Sequence, residues 1–149
     1  MDNVLEIEQL GRMFSKPKIS AYDFLKGFIA ELAINNIVII PRSQITSTLF
    51  DYSKNEKYKP LFEDIGFNQY GDTVTSYDIE DSIANLQVLG MIGKLNPSFE
   101  RIVIYLDKDL SKNICDSFDE DTRQRIESLV RDFIKQLNRG QYERCSTKF

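Results

Sequence analysis

The sequence predicts an α+β fold in the order helix, short strand, helix, helix and hairpin, with an added helix at each end. Three observations predict it. Apolar residues at helical spacing fill 24–33 and 126–137, β-branched runs occupy 37–40 and 101–106, and Pro, Asn and Gly fall between these segments as punctuation. The 149 residues suit one domain, with an N-terminal helix over 1–16, a core over 20–106, a C-terminal helix over 117–139 and a tail over 141–149.

Taken in order, Val4, Ile7, Leu10 and Phe14 recur at helical spacing before Ser15-Lys16-Pro17, where proline cannot continue a helix. Phe24, Leu25, Phe28, Ile29, Leu32 and Ala33 form the broad stripe of a helix laid on a core, with Ser20 or Asp23 available as its cap. Asn35-Asn36 interrupts it, Ile37 to Ile40 reads as a short buried strand, and Pro41 stops that strand before a helix with Ile45 and Leu49 four apart. The signal weakens from Asp51 to Asp72: Leu61, Phe62 and Ile65 suit one helical turn, and Gly66 and Gly71 punctuate the rest.

Thr75-Ser76-Tyr77-Asp78 then has the hydroxyl-and-acid pattern of a helix start, Ile79, Ile83 and Leu86 give the buried side, and Gly90 supplies a left-handed end. The period changes after it. Met91 to Leu95 and Arg101 to Leu106 read as a hairpin around Asn96-Pro97-Ser98. Ser117-Phe118-Asp119-Glu120 reads as a capping box, and Ile126, Leu129, Val130, Phe133, Ile134 and Leu137 follow as an apolar stripe ending near Gly140.

Composition excludes several classes of function. At 42% hydrophobic and 28% charged the chain is globular, and its longest purely apolar run, Ile37 to Ile40, is far short of the roughly 20 residues of a membrane span. No membrane association is expected. Met1 to Val4 has neither the basic region nor the apolar segment of a secretory signal, and Cys115 and Cys145 belong to no disulfide framework, so a cytoplasmic location is expected. Histidine is absent, which removes the usual proton carrier near neutral pH and the commonest zinc ligand. The net charge of −4 is divided: residues 1–121 carry 12 basic and 20 acidic side chains, and residues 122–149 carry seven and three. An acidic body is poorly suited to wrapping a polyanion.

The segments 24–33, 37–40, 45–49, 76–89 and 91–106, with the junction Ile83-Ala84-Asn85-Leu86-Gln87-Val88-Leu89-Gly90-Met91-Ile92, resemble the winged-helix superfamily over residues 20–106. The resemblance implies a third helix, Ser76 to Leu89, that members usually place in the DNA major groove. This chain departs from that pattern. Its third helix carries Asp78, Glu80 and Asp81 and neither Lys nor Arg, and the segment joining the second and third helices is longer than the family's usual turn. Other winged-helix proteins bind protein instead, among them accessory subunits of chromosome-organising ATPase complexes and small middle components of bacterial defence systems. The acidic third helix resembles those by charge.

No catalytic or cofactor constellation is assembled in the sequence. Asp116, Asp119, Glu120 and Asp121 are accounted for by helix capping and the dipole, Asp107-Lys108-Asp109 by a solvated strand end, and the scattered glycines form no phosphate loop. Neither enzyme, metal nor cofactor is expected. Tyr52, Tyr58, Phe62, Phe67, Tyr70 and Tyr77, interleaved with Lys54, Lys57 and Lys59, suit an interface, and Phe99 in the wing is a candidate docking anchor. The leading expectation is therefore a non-enzymatic interaction or accessory subunit that binds a protein partner or a second copy through Tyr58, Phe62, Phe67, Tyr70, Phe99, Val130, Phe133 and Leu137. The alternative is a DNA-binding regulator, with Asn85 and Gln87 reading bases and Lys94, Arg101, Arg123, Arg125 and Arg131 gripping phosphate.

Overall fold

A computed structural model describes residues 19–94, 100–137 and the backbone of 143–144. The first described helix, α1 (Ala21–Ile34), starts where the Ser20 side chain accepts the Asp23 N–H, and it buries Phe24, Leu25, Phe28, Ile29 and Leu32 completely. Asn35 and Asn36 end it. Asn36 takes the left-handed conformation at φ 65°, which asparagine tolerates, and turns the chain into β1 (Ile37–Pro41). Pro41 closes the strand and leads directly into α2 (Arg42–Ser53).

The long connection after α2 is structured. A 3-10 turn (Lys59–Leu61) is followed by a small hairpin of β2 (Asn68–Tyr70) and β3 (Thr73–Thr75), where the sequence predicts one helical turn and loop. Buried Tyr58 anchors this connection by donating its hydroxyl to Asp132 and lying 3.1 Å from the Ser128 hydroxyl. The connection is also tied at its far end, because Ser76 Oγ donates to the Gly66 carbonyl and Asp78 accepts the Gly66 N–H.

Helix α3 (Tyr77–Val88) starts at Ser76, whose hydroxyl accepts from Ile79 N–H, and buries Ile79, Ile83 and Leu86 as expected. It ends in a Schellman motif: Gly90 at φ 76° donates to the Gln87 carbonyl, and Met91 donates to that of Leu86. That reversal lays the strands β4 (Ile92–Lys94) and β5 (Arg101–Ile104) back toward the core. The helix–strand–helix–helix–hairpin order predicted from the sequence is observed, with the β2–β3 hairpin inserted between the second and third helices.

The β4–β5 hairpin is followed by α4 (Lys108–Asp116), then by α5 (Glu120–Gln136), and finally by β6 (Glu143–Arg144). Helix α4 corrects an expectation: Asp107 is not a strand end but the cap of this helix, accepting the Leu110 N–H at 2.7 Å. The proposed capping box is divided too, with Ser117 ending α4 and Asp119 standing at the start of α5. Strand β6 falls where a frayed tail was expected. The helix expected over 1–16 and the tip of the β4–β5 hairpin lie outside the described residues.

The sheet runs β4-β5-β1-β6 with each neighbour antiparallel; Ile40 faces Ile102 and Ile92 faces Ile104. An irregularity between Ile37 and Ile39 breaks the period of two, so Ile37 and Ile40 are both fully buried although three apart. Helix α1 forms the middle of the core and packs against α3, α4 and α5. Phe28 meets Phe133 edge-on with ring centroids 5.1 Å apart, and Phe24 meets Phe62 at the same separation. Each such side chain withdrawn from water contributes about 1.5–3 kcal/mol.

Candidate interaction face and cleft

Helix α3 presents an outer face beside a cleft. Its inner side is fixed by Ile79, Ser82, Ile83 and Leu86, which leaves Tyr77, Asp81, Ala84, Asn85, Gln87 and Val88 in solvent. Tyr77, Val88 and Leu89 are 77%, 85% and 60% exposed. Asp78, Glu80 and Asp81 supply the charge of this helix, which contains no cation.

The cleft, of about 1040 Å³, lies where the starts of α2 and α3 meet β3 and the start of β5. Ser43, Thr46 and Ser47 form one wall, Asp72 to Tyr77 another, and Glu100 and Arg101 one end. Pro41 offers no side-chain cap to α2, and the Arg42 amide donates instead to the Glu100 carbonyl at 2.6 Å. The Arg42 guanidinium pairs with Glu80 across the cleft. Burial, assisted by the Arg42 charge, lowers the Lys94 ammonium from its ordinary range. The Ser47 and Ser76 hydroxyls donate to the carbonyls of Ser43 and Gly66. They act as local structural ties, and the cleft gathers hydrogen-bonding and charged groups.

Several expected partner residues lie elsewhere. Tyr58, Val130 and Phe133 are fully buried, and Phe62 and Leu137 are nearly so; all five belong to the chain's own core. This corrects their assignment to a partner surface, since folding has already withdrawn them from water. Phe67 is partly buried between Phe50 and Phe62, whereas Tyr70 is 72% exposed beside the hairpin turn. Phe99 lies outside the described residues.

The residues of the DNA reading do not form one surface. Asn85 and Gln87 are exposed on α3, and Arg101 is exposed at the cleft. Arg123 pairs with Asp116 and Glu127, Arg125 pairs with Asp121, and Arg131 is exposed farther along α5. Helices α3 and α5 each pack on α1. The phosphate-gripping set is divided between the β4–β5 hairpin, which carries Lys94 and Arg101, and α5, which carries Arg123, Arg125 and Arg131.

Cys115 is buried, and its thiol lies 3.5 Å from the Glu31 carboxylate of α1. Burial raises both groups, with the Glu31 charge adding to the effect on Cys115, whose thiol is pushed up to about 12. Cys145 lies outside the described residues. Among the described residues no cluster of acids and cysteines could hold a metal ion, and no helix is long and apolar enough to cross a membrane.

Sequence reasoning reached the α3 face and missed the cleft. Thr73, Val74 and Thr75 form too short a run to display alternation, although Gly71-Asp72 between β-formers was a usable hairpin signal. No protein-family model matches the chain, and the searches of curated proteins and of solved structures also found no match.

Proposed function

We propose that the chain is a non-enzymatic interaction or accessory subunit of winged-helix type, working in the cytoplasm and binding a protein partner or a second copy through the outer face of α3. One observation carries this reading: the face that a DNA-reading member would turn to the groove has Tyr77, Ala84, Val88 and Leu89 around Asp81, with no cation on the helix. Exposed aromatic and aliphatic groups with an acidic fringe suit a polypeptide with a complementary apolar and basic surface. Against a duplex the carboxylates would meet phosphate, and the counterion release that drives such binding would be absent.

The order of elements and the antiparallel β4-β5-β1 pairing support the winged-helix description. Membership of an ATPase or defence complex is the corresponding proposal for its setting, supported by the resemblance in charge alone.

The test compares the full chain with a variant carrying Tyr77→Ala and Val88→Asp. Both sites are solvated, so the melting temperature should hold. The expected result is an association, with a protein from the producing cells or with itself, that the variant loses. Association untouched by the substitutions overturns the reading, as does duplex DNA binding that weakens steeply from low to physiological salt.

A further inference from the structure

We infer that the open edge of β3 receives an extended basic segment of a protein partner, which adds as a third strand to the small hairpin inside the cleft. This inference rests on the protein-interaction reading above and names how the partner's chain is held.

The register supplies the first reason. Gly71 and Asp72 form a two-residue loop, with Tyr70 facing Thr73, Gln69 facing Val74 and Asn68 facing Thr75. In an antiparallel pair joined this way the residues flanking the loop exchange hydrogen bonds, and the next pair does not. The Val74 N–H and C=O therefore point away from β2. The cleft supplies the second reason. Every residue from Asp72 to Tyr77 lines it, whereas a strand presenting one face would contribute alternate residues. The cleft thus runs along β3, with Asn68 of β2 and the start of α2, which packs against β3, completing its lining.

Exposed edges are ordinarily blunted by very short strands, lysine, proline or a bulge. Thr73-Val74-Thr75 is short but carries no lysine, proline or bulge, and its residues are β-branched and strand-forming. Charge selects the occupant. Of the charged lining groups, Arg42 and Glu80 satisfy one another, which leaves Asp72 and Glu100 against Arg101 and favours a segment bearing Lys or Arg. Exposed Tyr70 and Tyr77 stand near the two ends of β3 and can cover the aliphatic stems of such residues. Recognition by strand addition takes affinity from the main chain and selectivity from alternate side chains.

The experiment selects peptides from a random heptapeptide display library on the full chain and measures the enriched ones against wild type, Val74→Thr and Val74→Pro. Proline removes the outward N–H, which the β2–β3 pairing does not use, so the hairpin is retained. The expected result is enrichment of peptides with basic residues in a β-branched context, bound within twofold by wild type and Val74→Thr and at least tenfold more weakly by Val74→Pro. Hydrogen exchange at the Val74 amide of the wild-type chain should slow at least tenfold when peptide is added, a readout independent of the folding of the proline variant. Failure to enrich any peptide, binding indifferent to Val74→Pro, an unaltered Val74 amide, or a dimer formed edge to edge overturns the inference. Association with a partner that is lost on Val88→Asp but kept on Val74→Pro sinks strand addition alone and leaves the α3 reading standing; association indifferent to both sinks the two together.

Discussion

The Phe118 ring rests against the bare backbone of Gly27, with Cε2 2.6 Å and Cζ 2.8 Å from where a β-carbon would stand. Ile126 Cδ1 approaches the same point at 3.2 Å, so the segment between α4 and α5 and the first turns of α5 close on α1 at this glycine. Gly27→Ala gains about 1 kcal/mol of helix propensity but forces a packed ring outward. We expect a net loss of about 1–2 kcal/mol in urea unfolding, with Phe118→Leu restoring part of it in the double variant. A neutral or stabilising Gly27→Ala would show that the ring moves aside without cost.

Phe133→Ala should cost about 3–5 kcal/mol, because it removes the ring that meets Phe28 edge-on inside a fully buried cluster. Phe133→Asp should prevent folding, read as loss of the cooperative thermal transition. A Phe133→Asp chain with an unchanged melting curve would place this side chain outside the core.

Tyr58→Phe keeps the buried ring and removes the hydroxyl shared with Asp132 and Ser128. The expected cost is about 1–2 kcal/mol, in the lower part of the range for a hydrogen bond to a charged group because Asp132 is only half-buried and recovers some water. Denaturant unfolding measures it directly. A change below about 0.5 kcal/mol would mean that the connection is held by ring packing alone.

Glu31 gives the stability a pH dependence of definite sign. Burial raises its carboxyl above the ordinary 4.5, and the Glu127 charge adds to this, while hydrogen bonds from Cys115 and Asn35 and the Arg131 charge oppose it. At low pH both folded and unfolded chains hold this proton. As pH rises past the unfolded value the unfolded chain releases it first, so stability falls until the folded carboxyl also ionises. Glu31→Gln should therefore improve relative to wild type between about pH 4 and about pH 7, followed by chemical denaturation at each pH. An equal difference at both would remove Glu31 from the pH response.

In a Cys145→Ser background, Cys115 should resist alkylation in the folded state. Burial, with the Glu31 charge adding to it, pushes its thiol up to about 12, so little thiolate is present near neutral pH, and burial restricts access further. Labelling should follow unfolding, with a rate that denaturant raises. Rapid labelling of the native chain would contradict the packing of α4 on α1.

The parts of the fold that were legible are those whose signals are local. Ser20 and Ser76 cap their helices, Gly90 reverses the chain, and the Phe24 to Ala33 stripe lies inside as its spacing predicts. Helix α4 was hidden because Ser111 occupies a fully buried position that an apolar residue would have revealed. The hairpin was hidden by strands of three residues with largely solvated side chains. Val130 and Phe133 show a different limit. An apolar stripe has the same spacing whether it meets its own chain or another, and only the docking of α1 against α5 decides between them. The acidic face of α3 could be read in advance; the edge of β3 could not, because exposure of a backbone depends on which strands stand beside it.

The sheet order has a consequence for folding. Ile37 of β1 pairs with Arg144 of β6, so this side of β1 is closed by a segment far along the chain, across a longer loop than either of the other pairings in the sheet. Until that pairing forms, the backbone groups along this side of β1 are uncovered.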